Sequence, residues 1–329
     1  MMVRSRRALA AALLGVVALG ATGLTAHAAD PFPAKEIKFI VPWNAGGSND
    51  IAARLLAQLA SEQGVKVLVE NVPGATGAIG MTKVANAEPD GYTIGMGTSS
   101  TLALIAQGLT PLKNEQFAPI ARVTIDPLVL VVPTSGPATS LEAFIAHLKQ
   151  NPGKVSIGTP GTNNLNHIFS VMTGRAAGVD TINVPYTGGS KVVADLAGKQ
   201  IDAAVLKPSE SKAMIDGGHV KAIAVFANQR LQAMPDVPTF KERGYDVFPY
   251  GPLVQMAYIV APVGIPEPVR AKLTDIFNKA IQSAKFKAPT EQQGAVVDNL
   301  TGAALGREIA NVQKSLNEVG KKVFVAEKK

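Results

Sequence analysis

The chain has 329 residues, of which 47% are apolar and 5% aromatic, with no cysteine and a formal charge of +7. That length with that apolar share suits two domains with real cores, and the lack of cysteine excludes disulfides, thiolate metal sites and cysteine nucleophiles. Lysines are scattered and aromatics sparse, which speaks against nucleic-acid binding, and removing Arg4, Arg6 and Arg7 leaves about +4, a weak field that favours an anionic solute.

The N-terminus is tripartite. Arg4, Arg6 and Arg7 precede the apolar run Ala8 to Leu24, and Ala26-His27-Ala28 follows. This pattern predicts a secretory signal over residues 1–28, cleaved near Ala28. A membrane anchor is the competing reading, but an apolar run of about 17 residues, rich at its end in Ala, Gly and Thr, is near the lower limit for spanning.

The pattern beyond it predicts a strand at 37–41, a helix at 50–62 and a strand at 65–69. A glycine-rich turn at 73–80, a helix at 79–87 and a strand at 92–96 come next. This alternation indicates a mostly parallel sheet flanked by helices. From Asp126 the grammar repeats, with strands at 128–132, 155–158, 181–184, 201–206 and 221–227 and helices at 141–149, 166–173, 189–197 and 208–216. An irregular stretch at 234–252 leads to a strand at 254–261 and helices at 266–283 and 302–319. The economical arrangement is a chain that leaves the first domain near residue 126, fills the second and returns near 250, leaving a cleft between two lobes.

The candidate chemistry lies at the carboxyl ends of strands, where ligands collect in open α/β sheets. Trp43-Asn44-Ala45-Gly46-Gly47-Ser48-Asn49-Asp50 joins a strand to a helix. Its glycines allow close backbone approach, the first helical amides lack internal partners, and Ser48, Asn49 or Asp50 is expected to cap the helix. Such a turn holds a carboxylate or phosphate, or is merely a tight capped turn. Gly97-Thr98-Ser99-Ser100, Thr159-Pro160-Gly161-Thr162-Asn163-Asn164 and Pro185-Tyr186-Thr187-Gly188-Gly189-Ser190 repeat the device. Four donor-rich loops, two per lobe, suit a carboxylate held without an obligatory buried ion pair.

Side chains around these loops carry two readings each. Lys207 faces the cleft and neutralises a carboxylate, or points into water; Arg122 is similar. His167 touches the solute or serves as a structural donor. Tyr186 offers a wall and a hydroxyl, and Trp43 closes the pocket or fills the seam between lobes. The histidines beyond the signal, His147, His167 and His219, form no metal motif, and neither a G-x-S-x-G elbow nor a dinucleotide or phosphate-loop fingerprint is present. No catalytic residue, cofactor or metal is expected.

The ordered motifs resemble the tripartite tricarboxylate transporter substrate-binding family, the TctC or Bug-type receptors. They are K-x-I-x-x-I-V-P-W-x-A-G-G-x-x-D at 35–50, V-E-N-x-P-G-A-x-G-x-I-G at 69–80 and A-x-P-D-G-Y-T at 87–93. V-P-Y-x-G at 184–188, M-P-D-V-P-T-F at 234–240 and A-P-V-G-I-P at 261–266 complete the set. The resemblance implies a two-lobed periplasmic binding protein fold, with residues 29–126 and 253–329 in lobe 1 and 127–252 in lobe 2. It further implies a monomeric periplasmic receptor that closes on a small organic carboxylate and delivers it to large and small membrane subunits. By analogy, the loops at 43–50 and 159–164 form the main carboxylate clamp. This chain departs from relatives in lacking their G-x-G-S version of the 159–164 loop and in carrying Lys207 within Val205-Leu206-Lys207-Pro208. If that lysine enters the cleft, a di- or tricarboxylate is expected. A sensory receptor for a carboxylate, or a hydrolytic enzyme acting on a carboxylated substrate, are the alternatives.

Overall fold

The computed structural model describes residues 32–324, so the signal expected at 1–28 and the lysines at 328 and 329 lie outside the described residues. Two five-stranded sheets form the frame. The first uses β1 (Ile37–Val41), β2 (Val67–Asn71), β3 (Thr93–Thr98), β4 (Phe117–Ile125) and β10 (Met256–Pro262) in the order β2-β1-β3-β10-β4. The second uses β5 (Leu128–Pro133), β6 (Ser156–Thr159), β7 (Ile182–Pro185), β8 (Ala203–Leu206) and β9 (Val220–Phe226) in the order β7-β6-β8-β5-β9.

The two orders are equivalent. In each sheet three strands pair in parallel, and the next is antiparallel to both its neighbours. That opposed strand is β10 in the first sheet and β5 in the second, in each case the strand by which the chain arrives from the other lobe. A strand that enters from the other lobe must run away from it, which accounts for its reversed direction. Edge pairing is also mirrored: Ile125 and Val296 exchange both backbone hydrogen bonds at 2.8 Å beside β4, and Val225 pairs with the 238–240 segment beside β9.

Helices cover both faces. α1 (Ser48–Ser61) and α8 (Glu267–Gln282) pack on one face of the first sheet, where Phe39 meets Phe277 edge-on with ring centres 5.8 Å apart. On its other face lie α2 (Ala78–Ala85), α3 (Ser99–Ala106) and α10 (Gly302–Val319). That apolar layer is continuous with the one under α4 (Leu141–Gln150) and α5 (Leu165–Ala177) in the second lobe. α6 (Gly189–Ala197) and α7 (Pro208–Asp216) cover the remaining face, and α9 (Ala284–Gln292) follows α8.

β5 shows why its sequence is apolar throughout. Leu128, Leu130 and Val132 enter one layer while Val129 and Val131 enter the other, all fully buried. Period-two alternation turns successive side chains to opposite faces, and both faces here are covered. Each such side chain contributes about 1.5–3 kcal/mol of burial.

Three elements depart from the sequence expectation. Gly97 to Ser100 is expected as a loop, yet Ser99 opens α3, whose residues Ser99–Leu104 are buried. β4 is not anticipated, because Pro119 and Arg122 interrupt its apolar pattern. α9 is likewise unforeseen, with Pro289 inside it.

Candidate functional site

The β1–α1 loop is organised by Asp50. Its buried carboxylate accepts from the Gly46 amide at 2.8 Å, from Arg54 Nε at 3.0 Å and from Asn71 Nδ2 at 2.9 Å. Burial alone works against its charge, but these hydrogen bonds and the Arg54 cation outweigh burial and hold the group below its ordinary value. Asn71 also donates to the Trp43 carbonyl at 3.0 Å, closing the loop on itself. Gly46 takes the left-handed φ of +81° that this turn requires.

The expected side-chain cap of α1 is absent. Gly47 is the N-cap and offers no acceptor, so the amides of the first turn, at Ser48, Asn49 and Asp50, keep their hydrogen-bonding capacity. Asn44, Gly46 and Gly47 are exposed around them. Trp43 packs within its own lobe; a Cβ on Gly77 would lie 3.1 Å from its ring.

At the end of β3, Thr98 and Ser99 are buried. Ser99 Oγ donates to the Val254 carbonyl at 2.5 Å and accepts from the Met256 amide at 3.2 Å, so it fastens the returning chain instead of presenting a free donor. Thr98 Oγ1 has no partner among the described residues.

In the second lobe the 159–164 loop is internally braced. Asn164 caps α5 by accepting from the His167 amide at 3.0 Å, and its Nδ2 donates to the Pro160 carbonyl at 2.9 Å. His167 Nδ1 accepts from the Asn163 amide at 3.2 Å, with Thr162 Oγ1 at 3.5 Å. This assigns the ring proton to Nε2, and burial pushes the imidazole down to about 4, so it is neutral at pH 7. Thr159 is fully buried, with its hydroxyl 2.7 Å from the Gly161 carbonyl. Gly161 and Asn163 take positive φ, leaving Thr162 exposed at the loop tip.

Tyr186 turns away from this loop: its ring joins the α6 layer and its hydroxyl faces Asp195. Burial first, then Asp195, raise its pKa. Thr187 is exposed and Gly188 is the N-cap of α6. A Cβ on Gly189 would lie 2.5 Å from the Glu210 carboxyl carbon, so glycine there makes room for that carboxylate.

Lys207 is where the lobes meet. Its side chain is 9% exposed, and Nζ donates to Ser48 Oγ of the opposite lobe at 3.1 Å while lying 3.7 Å from Asp126 Oδ2. Asp126 also accepts from Thr124 Oγ1 at 2.7 Å. The Lys207 amide donates to Glu210 Oε2 at 3.0 Å. Burial pushes the Glu210 carboxyl up; Lys207 opposes this and Asp126 adds to it. A second bridge runs from Gln107 Nε2 to the Asn163 carbonyl at 2.9 Å. Arg122 is not near these loops; it pairs with Asp298 and Glu308 beside the β4 edge.

The structure thus joins the uncapped turn of α1 to the β8–α7 junction, and the end of α3 to the 159–164 loop. Sequence reasoning missed Asn71, Gln107, Asp126 and Glu210. Asp126 carried one signal, an acidic residue before a proline where the chain is expected to leave the first domain; the others act across long sequence separations.

Comparison with known proteins bears on this arrangement. The model of the tripartite tricarboxylate transporter family receptor matches residues 51–320. A UPF0065 protein of Bordetella pertussis is 33% identical over 310 residues, covering 93% of this chain and 94% of that one. Among solved structures, one described as a periplasmic transporter has a TM-score of 0.81 at 34% identity, covering 88% of this chain and 98% of the other. MatC from Rhodopseudomonas palustris, solved with bound malate, has a TM-score of 0.79 at 26% identity and covers 88% of this chain and all of that one.

Proposed function

Because the chain belongs to the tripartite tricarboxylate transporter receptor family, we propose that it captures a small dicarboxylate between its lobes and delivers it to the large and small membrane subunits of such a transporter. Members of this family are periplasmic solute-binding receptors, so this is a binding protein and not an enzyme. The malate held by a relative of the same fold supports a dicarboxylate.

The observation that carries the reading is the 3.1 Å contact between Lys207 Nζ and Ser48 Oγ. It sets an ammonium beside the uncapped first turn of α1, whose amides and positive dipole end already suit an anion. One ligand carboxylate seats there, between Asn44, Gly46–Asn49 and Lys207. The other reaches the Gly161–Asn163 tip of the opposite lobe, with Thr187 and Gly188 beside it. Asp50, Asn71, Thr159, Asn164 and His167 shape the two loops without touching the solute. Asp126 holds Lys207 in place, so its ammonium is aimed at the first turn of α1.

In this reading the protein acts as a monomer in the periplasm, after removal of residues 1–28. Residues 29–126 with 253–329 close against 127–252, and the closed shape is what the membrane subunits recognise. A thermal-shift panel of the processed chain against malate, succinate, adipate and their monoamides tests the ligand class. A saturating dicarboxylate is expected to raise the melting temperature more than its monoamide, and Lys207→Ala to remove the difference. An equal response to acid and monoamide in the unaltered protein rejects the dicarboxylate reading. Loss of uptake of the identified solute on deleting the chain tests delivery.

A further inference from the structure

A second cavity lies inside the first lobe, on the face of the sheet away from α1, between β10, α3 and α10. It measures about 490 Å³, within the range of small-molecule sites of roughly 300–1,000 Å³. Met81, Leu102, Ile105 and Ile309 make its walls, with Tyr258 on its floor. None of the solute loops at 43–50, 159–164 or 185–190 borders it.

Tyr258 is the informative residue. Its ring lies against Gly97 of β3, where a Cβ would come within 2.5 Å of the ring, so a side chain there would exclude the tyrosine from this position. The residue is 4% exposed and lines the cavity. Burial alone raises its pKa, so the phenol stays an uncharged donor. A buried hydroxyl is ordinarily paired, and leaving one unpaired costs about 1–3 kcal/mol. Thr101, from α3 on the same wall, has such a buried hydroxyl without a partner among the described residues. The neighbouring Gln313 amide is engaged: it accepts from Asn114 and donates to Asn317, each at 2.9 Å. The lining charges, Glu115 and Lys314, are both exposed, and neither is held at the apolar walls.

We propose that this cavity is a second binding site, for a small uncharged molecule with an apolar ring or branched body and one hydrogen-bonding group that meets the Tyr258 hydroxyl. The walls exclude a dicarboxylate, since no buried cation faces them, so the site is distinct in chemistry from the cleft between the lobes. Its occupant lies against α3 and β10, the two elements that Ser99 fastens together at the returning crossing.

The probe is 4-fluorophenol, followed by fluorine NMR with the full chain. Saturable binding is expected below about 10 mM. Tyr258→Phe, which keeps the ring, should weaken it about 3-fold to 10-fold, the worth of one hydrogen bond. Ala310→Trp, made at an exposed lining position of α10, should abolish it. Lys207→Ala, in the cleft, should leave it unchanged. Absence of saturation in the unaltered protein overturns the proposal, as does binding that survives both cavity variants or disappears in Lys207→Ala.

Discussion

The amide of Asp126 donates to the carbonyl of Gln255 at 2.8 Å, so the outgoing and returning crossings between the sheets run side by side. The Asp126 side chain, on the same residue, is the counterion of Lys207. The pairing of the two crossings and the charge beside Lys207 are therefore held by one residue. Removing one partner of a buried pair strands the other, at a cost of about 3–5 kcal/mol. Asp126→Ala should lower stability toward that range in urea unfolding, and the double variant Asp126→Ala, Lys207→Met should recover much of the loss. Additive losses would show that the two groups are not coupled.

His167 makes stability depend on pH. Its folded value of about 4 lies below the ordinary 6.5, so between these the unfolded chain binds more protons. The neutral ring's contribution is complete above pH 6.5 and disappears as pH falls to 4. A shift of this size is worth about 3 kcal/mol. Melting temperature measured across that window should fall for the unaltered protein, and His167→Gln should flatten the slope.

Asp50 acts in a lower window. Its pKa is depressed, so its stabilising effect is present above the ordinary carboxylate value near 4 and is lost as pH falls further. Asp50→Asn should be less stable than the unaltered protein at pH 7, with the gap narrowing below pH 4. It should also weaken solute binding throughout, because the loop loses its anchor to Gly46 and Arg54. Unchanged affinity at pH 7 would separate the loop from the site.

Gly80 explains the last glycine of the V-E-N-x-P-G-A-x-G-x-I-G motif. A Cβ there would lie 2.7 Å from Pro42 Cβ and 2.8 Å from the Val72 carbonyl, and backbone cannot yield cheaply. Gly80→Ala should cost about 1–3 kcal/mol in chemical denaturation. Gly46→Ala meets no atom within 4 Å and suffers only its positive φ, so it should cost about 1 kcal/mol.

Much of the frame was legible from local pattern. Helices α4, α6, α7 and α10 and strands β1 and β5 fall within a residue of expectation, because apolar periodicity and flanking glycine or proline report directly on local structure. α3 was hidden because Thr98, Ser99 and Ser100 have the composition of a donor loop, whereas burial makes them a helix start. The loops at 43–50 and 159–164 were visible as glycine and asparagine clusters at strand ends. What held them was not: Asn71 reaches back to Trp43 and Asp50, and Lys207 reaches across 159 positions to Ser48. Periodicity has no term for such contacts, and Tyr186 shows the same limit in reverse, a polar aromatic in a promising loop that folds onto its own lobe.

The reversed strand in each sheet also governs the order in which the molecule can be completed. β3 and β4 have no direct pairing and are joined only through β10, which arrives after the whole second lobe has been made. A growing chain that has emerged as far as residue 250 therefore holds a first sheet split down its middle, with two interior edges unpaired. Such long-range closure is slow and leaves the nascent polypeptide open until its last quarter appears. A lobe that cannot finish itself from its own first 126 residues is a built-in delay.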